Sequence, residues 1–463
     1  MKYLGSSDMC GIAGATNTSR EKVQGMLDRI QHRGPDGQGI FDHAGVMHGH
    51  VRLALVDLTS ASSQPFRRDG ATLTFNGEIW NFRDLRAELE AQGEKFVSTG
   101  DTEVFLAMLN RFGLPALEKI DGMFAFAWSS KDGEHWIVRD SFGKVPLYVG
   151  KAQGGYMWAS ERKAFPFGMQ PIPVPPGYAF NLLTGEWRKW YKLPQPTHCG
   201  QDQVLTYLRE GVGKRLDADA PVCCLISGGL DSSIILALAK ERRADVVAFT
   251  AVYNPASDDA KSARRLCSDL GVPLFEVPVT LDESGITQAM QAIEIPSKAQ
   301  IEIATLCLPL AKRVYAEGFR ACLSGEAADE IFGGYGNFCI QASKQNDAGV
   351  IELRKALLSK MARGNFVRCN KAFMAHGVEC RLPFMEQRLV ESAIQLGKSD
   401  SRPGKVLLKE ACKNILPTWV IKRVKDTFQG GSGISDEIAK RYTSPIKYYN
   451  AEMRKMFGYL PEN

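Results

Sequence analysis

The chain has 463 residues, of which 44% are hydrophobic, 24% charged and 9% aromatic, the make-up of an ordinary globular protein. At roughly 150 residues per domain, that length implies two to four domains, each able to bury a core without disulfide or metal staples. No apolar run approaches the ~20 residues that cross a bilayer, and MKYLGSSD lacks the apolar centre and cleavage site of a signal peptide. The net charge of +5 comes from 57 basic and 52 acidic residues without a block of like charge, which fits a mixed solvated surface and excludes a nucleic-acid stripe. Eleven cysteines, without a CxxC pair or histidines at zinc spacing, suit a reducing cytosol and small core positions. A cytoplasmic location without a membrane partner is therefore expected.

In chain order, the first part is rich in strands. VRLALVDL (51–58), ATLTFNGEI (71–79), GMFAFAW (122–128), HWIVRD (135–140) and YMWAS (156–160) alternate and are separated by glycine turns, with at least two helices, near 20–31 and 82–92. Seven of the 22 prolines then fall between Pro166 and Pro196, and the pattern changes. A helix near 201–214 leads to the strand PVCCLI, the helix SSIILALAKER, the strand DVVAFTAV, a helix near 259–270 and the strand PLFEVPV. Strands alternating with helices predict a parallel sheet covered on both faces. From 340 onward the chain reads as mainly helical. The expected organisation is an α+β domain at 10–195, followed at 196–463 by an α/β domain with a helical end.

Two clusters in the second domain carry chemistry. CLISGGLDSSIILALAK (224–240) is a strand, a tight turn and a helix. Gly228 and Gly229 allow close backbone approach, Ser227, Ser232 and Ser233 supply hydroxyls, and the helix N-terminus favours an anion. It is not a Walker A loop, because GxxxxGK[ST] is absent. SGGLDSS resembles the pyrophosphate loop of the N-type ATP pyrophosphatases, which cleave ATP to AMP and pyrophosphate. Asp231 in that place would hold Mg²⁺ on the phosphates; its structural alternative is a helix N-cap. LSGEAADEIFGGY (323–335) follows a second strand, FRACL, and puts Glu326, Asp329 and Glu330 within five residues. Carboxylates so close repel unless a cation or donors balance them. IKRVKDTFQGG (421–431) offers Lys425 as a cation for a phosphate leaving group.

MCGIAG (9–14) gains its meaning from QHRGPDGQG (31–39), VRLALVDL, FNGEIWN (75–81) and GDTEV (100–104). Together these resemble the class II, N-terminal-nucleophile glutamine amidotransferases, which implies stacked antiparallel sheets with flanking helices. In that family the cysteine is the first residue, and its own α-amine, titrating near pH ~7.7–8.0, is the general base. The resemblance implies Cys10 as nucleophile, the Asn76 side chain and Gly77 N–H as oxyanion hole, and Arg52 against the substrate carboxylate. It also implies Glu78 and Asp101 around the α-ammonium.

A glutaminase followed by a pyrophosphate-loop domain resembles the glutamine-hydrolysing asparagine synthetase family over roughly residues 9–455. RDSFGKVPLY (139–148), WASERKAF (158–165), NKAFMAHGVECRLPF (370–384) and YTSPIKYYNAEMRKMFG (442–458) also match. That resemblance implies an ATP- and glutamine-dependent amide ligase, with aspartate as default acceptor, an acyl-adenylate intermediate and channelled ammonia. Leu225, Ser227, Gly228, Gly229, Asp231, Ser232, Ser233, Ser324 and Gly325 would bind ATP. Asp231 and Asp329 would serve Mg²⁺, Glu326 the intermediate or ammonia step, and Lys425 the phosphate charge. Glu379 and Arg381 are further candidates, with a structural ion pair as their alternative. A homodimer stays open.

The sequence also departs from the family pattern. Nine residues precede Cys10, and an acylated cysteine has no free amine. Either translation starts at Met9, which is the expectation, or the leader is removed, or the glutaminase half is inactive. PFME replaces PFLD, placing Glu386 where aspartate is usual. The stretch 294–313 lacks the Thr-Ile-Arg-Ala-like run of aspartate-using relatives, and SGEAADE has alanine where glycine is common. A different carboxylate acceptor, or a non-catalytic binding regulator, are the alternatives.

Overall fold

The computed structural model describes residues 10–53, 55–57, 59–194, 200–398, 404–423 and 434–461. Twelve strands come first: β1 (Gly11–Thr16), β2 (Gly37–His43), β3 (Val46–Arg52), β4 (Phe66–Arg68), β5 (Ala71–Ile79), β6 (Gly122–Ser129), β7 (His135–Arg139), β8 (Tyr148–Ala152), β9 (Gly155–Ala159), β10 (Ile172–Pro173), β11 (Tyr178–Asn181) and β12 (Trp187–Lys189). They form two six-stranded antiparallel sheets, ordered β10-β8-β9-β1-β3-β2 and β12-β11-β7-β6-β5-β4. The helix Arg20–Asp28 covers the first sheet by burying Val23, Met26 and Leu27 against Ala13, Ala15, Met47 and Val51. The helix Asp101–Phe112 covers the second, where Phe105 packs edge-on against Phe75 and Phe126.

Strand alternation assigns the opposite faces to the layer between the sheets. Phe75 points to the helix, so its neighbours Thr74 and Asn76 point inward. There His48 meets Thr74 at 3.3 Å and Ser129 at 2.7 Å. The layer is thus partly polar, and burial holds His48 and His50 neutral, with pKa values down to about 3.

The second half carries β13 (Val222–Leu225), β14 (Ala248–Val252), β15 (Leu274–Pro278), β16 (Ala321–Leu323) and β17 (Glu379–Arg381) in one parallel sheet, ordered β15-β14-β13-β16-β17. Helices Gln201–Leu216, Leu230–Arg242, Asp258–Leu270 and Lys298–Ala316 alternate with the strands. Cys223, Cys322 and Cys380 lie side by side across three strands, and all ten described cysteines are buried thiols outside any disulfide. Small apolar thiols suit strands covered on both faces. No described helix is long and apolar enough to cross a membrane.

One expectation needs correction. VRLALVDL is not one strand: pairing ends at Arg52, and Asp57 takes a left-handed φ of 53°. Its buried Leu53, Leu55 and Val56 are apolar because the loop is covered, which mimics a strand in sequence. Asp101–Phe112 is a further helix, compatible with the expectation of at least two, and its nine buried residues leave little amphipathic contrast in the sequence. The described C-terminal part is mainly helical as expected, and it also holds the three-residue strand β17, too short for a periodic signal.

Candidate functional sites

The first site lies where the sheets meet. Cys10 immediately precedes β1, is buried, and its Sγ donates to the Leu53 carbonyl at 3.7 Å. The Arg33 Nε donates to the Cys10 carbonyl at 3.1 Å, while Arg33 Nη1 pairs with Glu161 at 2.7 Å. Ser160 Oγ accepts from Ile12 N at 3.0 Å and from Asn76 Nδ2 at 3.3 Å. One hydroxyl therefore ties β1, the strand that follows Cys10, to Asn76 on the other sheet. Asn76 Oδ1 is buried without a hydrogen-bond partner among the described residues, so the amide is incompletely satisfied without a ligand. Gly77 has φ of 145°, and an added Cβ would stand 2.0 Å from the Met123 carbonyl oxygen. Only glycine lets β5 lie so close to β6 here.

Main-chain groups hold the rest of this site. Arg52 donates to the carbonyls of Thr59 and Asp57, each at 2.8 Å. Asp57 accepts from Thr59 N at 3.1 Å, Thr59 Oγ1 at 2.6 Å and Thr99 N at 2.7 Å. Burial alone would raise the Asp57 pKa, but these donors bring it down to about 2. Asp101 opens the helix Asp101–Phe112, accepts from Ile79 N at 3.0 Å, and burial lifts its pKa to about 6. Glu78 is held differently, by Arg381 Nη2 of β17 at 3.1 Å.

The second site sits at the carboxyl ends of β13 and β16. The chain runs from β13 outward to β14 and β15, then returns to the other side for β16 and β17, so β13 and β16 flank the topological switch point. That crevice is where open α/β sheets bind ligands. The loop after β13 is SGGLDSS and the loop after β16 is SGEAADE. Gly228 has φ of 73°, with Ser262, Ala263 and Asp259 within 2.8 Å of a would-be Cβ. An added Cβ on Gly325 would fall 2.7 Å from Ser232 N, which shows how closely the two loops pack. Leu225 is half-buried at the strand end. Ser227 and Ser232 share a hydroxyl contact at 3.2 Å, Ser233 Oγ donates to the Gly229 carbonyl at 2.7 Å, and Ser324 Oγ accepts from Glu326 N at 3.3 Å.

Charges hold this site. Lys405 Nζ bridges Asp231 at 2.5 Å and Asp329 at 2.6 Å. Burial works to lower the Lys405 pKa, but the two carboxylates prevail and raise it. Glu326 pairs with Arg368 and accepts from Asn365 Nδ2 at 2.9 Å. Glu330 accepts from Tyr335 OH at 2.6 Å and Asn365 Nδ2 at 3.1 Å; burial, then Glu326, push its pKa up to about 7. Ala327, the alanine of SGEAADE, has φ of 82°, a left-handed backbone that glycine adopts without cost.

Lys425 lies outside the described residues. From the same stretch, Arg423 donates to the Gly228 carbonyl at 2.6 Å and pairs with Asp259 at 2.6 Å. Glu379 pairs with Arg381. Glu386 meets Lys214 at 2.7 Å and Arg215 at 3.1 Å, so PFME is part of a buried ion cluster. Sequence reasoning missed Ser160, Arg33, Lys405, Asn365 and Arg368 as members of these sites. Arg33 and Ser160 stood inside quoted motifs, whereas Lys405 carried no local signal.

A cysteine pocket between antiparallel sheets and a phosphate-type loop at a parallel-sheet switch point define a class II glutamine amidotransferase fused to an ATP-pyrophosphatase-type synthetase. A glutamine amidotransferase domain model matches residues 9–172, and an asparagine synthase model matches 203–364 and 345–446. The chain is 31% identical to asparagine synthetase B [glutamine-hydrolyzing] of Escherichia coli (strain K12), over 96% of this chain and 87% of that protein. It is 30% identical to a probable asparagine synthetase [glutamine-hydrolyzing] of Dictyostelium discoideum, over 98% of this chain and 90% of that protein. The chain belongs to the glutamine-hydrolysing asparagine synthetase family. It is a glutamine-dependent carbon–nitrogen ligase that consumes ATP and forms AMP and pyrophosphate.

Proposed function

We propose that the acceptor is aspartate, that the product is asparagine, and that residues 10–195 and 196–463 are the two catalytic domains. The observation that carries this reading is the pair of loops, SGGLDSS and SGEAADE, closing on each other at the switch point through Gly325 and Ser232.

In the first domain Cys10, with a free α-amine as base, loses its thiol proton and attacks the side-chain amide carbon of glutamine. Asn76 Nδ2 and Gly77 N–H donate to the oxyanion, Arg52 faces the substrate carboxylate, and Asp101 takes its ammonium. Glu78 braces that corner through Arg381. Ammonia leaves, and water resolves the thioester to glutamate and free thiol.

In the second domain Leu225 lies near adenine, and Ser227, Gly228, Gly229, Ser232, Ser233, Ser324 and Gly325 cradle the phosphates at the helix N-terminus. Asp231 and Asp329 already converge on one ammonium, a donor set that also fits Mg²⁺. Among the described residues no group of three ligating side chains is found, so Asp231 and Asp329 would hold Mg²⁺ together with oxygens from the nucleotide and solvent. When bound, Mg²⁺ supplies charge neutralisation on the phosphates. An acceptor carboxylate oxygen attacks the α-phosphorus, with Lys405 and Lys425 offsetting charge on departing pyrophosphate. Ammonia then attacks the acyl carbon, AMP leaves with the electron pair, and Glu326 orients the intermediate.

The test is pyrophosphate release with glutamine and MgATP across a panel of carboxylic acids. Release with aspartate well above the others supports the reading; background release with aspartate rejects it. Intact mass of the mature protein reports the start: a chain beginning at Cys10 supports glutamine hydrolysis, and a retained leader sinks it.

A further inference from the structure

The helix Asn365–Met374 touches both sites. Its Asn365 donates to Glu326 and Glu330, and its Arg368 pairs with Glu326. Five residues on, Asn370 Oδ1 accepts from Arg33 Nη2 at 2.9 Å, across 337 residues of sequence. That same guanidinium holds the Cys10 carbonyl at 3.1 Å. Lys371 pairs with Glu294 and meets Tyr148 OH at 3.1 Å. Glu294 in turn accepts from the backbone N–H groups of Arg162 at 2.9 Å and Lys163 at 2.7 Å. Just before the helix, the Ala362 carbonyl accepts from Arg139 at 2.9 Å.

Arg33 and Lys371 are fully buried and Asn370 nearly so, so these bonds are strong and unscreened. A ten-residue helix is about 15 Å long and moves as a rod. Arg33 cannot follow the rod without dragging the main chain of the nucleophile.

We infer that Asn370 is a positioning residue for Cys10, coupling glutamine hydrolysis to occupancy of the synthetase site through Arg33. That coupling rests on the two-site reading of the proposed function. Ligands at Glu326 rearrange the Arg368 and Asn365 contacts, the helix shifts, and the Asn370–Arg33 bond transmits that shift to the Cys10 carbonyl. Such a coupling is reciprocal in binding free energy.

Two variants separate this from a merely structural role. Asn370→Ala removes the acceptor, whereas Asn370→Asp keeps it. The first measurement is glutamate formed per pyrophosphate released with glutamine, MgATP and aspartate. Asn370→Ala is expected to raise that ratio about fivefold, with ammonia-dependent pyrophosphate release unchanged within about twofold and Asn370→Asp close to wild type. An unchanged ratio in Asn370→Ala, failure of Asn370→Asp to rescue, or loss of ammonia-dependent release in step with the rise overturns the inference.

The second measurement needs no acceptor. The rate of Cys10 alkylation by a diazoketone glutamine analogue is compared with and without MgATP. MgATP is expected to change the wild-type rate at least about twofold and to leave Asn370→Ala unaffected. An equal response in both proteins, or no response in wild type, overturns the coupling. Failure of aspartate to support pyrophosphate release overturns only the acceptor assignment.

Discussion

The glutaminase pocket and the synthetase cleft are held in opposite ways. Arg52, Asp57 and Asp101 lean on carbonyls and N–H groups of the main chain. Asp231, Asp329, Glu326 and Glu330 lean on other side chains: Lys405, Arg368, Tyr335 and Asn365. A pocket braced by backbone is set by the sheets and ready before substrate arrives. A cleft braced by ion pairs would have to exchange them for ligand charges, so it is expected to reorganise when MgATP binds.

The largest test of that contrast is Cys10→Ala. It is expected to abolish glutamine-dependent pyrophosphate release, a loss of at least about 10³-fold, while ammonia-dependent release persists. Equal loss with ammonia would show that the cleft depends on the nucleophile. Gly77→Ala comes next, because its Cβ meets the Met123 carbonyl oxygen at 2.0 Å. A drop of about 10²-fold in glutaminase kcat/KM is expected, again with ammonia-dependent activity retained.

Lys405→Met probes the charge-held side. Two carboxylates lose their shared cation, and removing one partner of a buried pair costs about 3–5 kcal/mol. Partial exposure of Asp231 and Asp329 reduces this to ~2 kcal/mol. Millimolar Mg²⁺ is expected to raise the Tm of this variant more than that of wild type, and an equal shift would separate Asp231 and Asp329 from any cation.

The pH dependence is smaller and has a defined sign. The Asp101 carboxyl, raised to about 6 by burial, must be ionised to hold an ammonium. Below the fall already set by protonation of the α-amine base, glutaminase kcat/KM should therefore steepen as pH drops through about 6, and an unchanged slope down to pH ~5 would remove Asp101 from that role. The smallest effect is Ala327→Gly. Relieving its φ of 82° should stabilise the protein by about 1 kcal/mol, read as a rise in Tm.

Much of this was legible in the residues. The strand–loop–helix at 222–242 was plain, because a buried strand followed by two glycines has few other readings. SGEAADE was legible as an acidic turn, yet its neutralising partner was not. Lys405 lies far along the chain from Asp329 and 174 residues from Asp231, the other carboxylate it joins, and a pairing made by tertiary packing leaves no periodic trace. Ser160 shows the same limit, since its double role depends on two sheets facing each other. VRLALVDL misled because covered loops and strands are equally apolar.

Arg381 has one more consequence. It donates to the carbonyls of Arg215 and Asp217, to Glu379 and across to Glu78, and is fully enclosed. Splitting the chain near residue 195 would take Glu78 away from its buried cation and uncover the apolar seam around it, while Arg381 would keep only Glu379 as counter-charge. The halves should then melt in a single transition when joined, and each should be aggregation-prone when expressed alone. The seam between the two halves is thus a cohesive part of one contiguous core, and it should unfold with them as one piece.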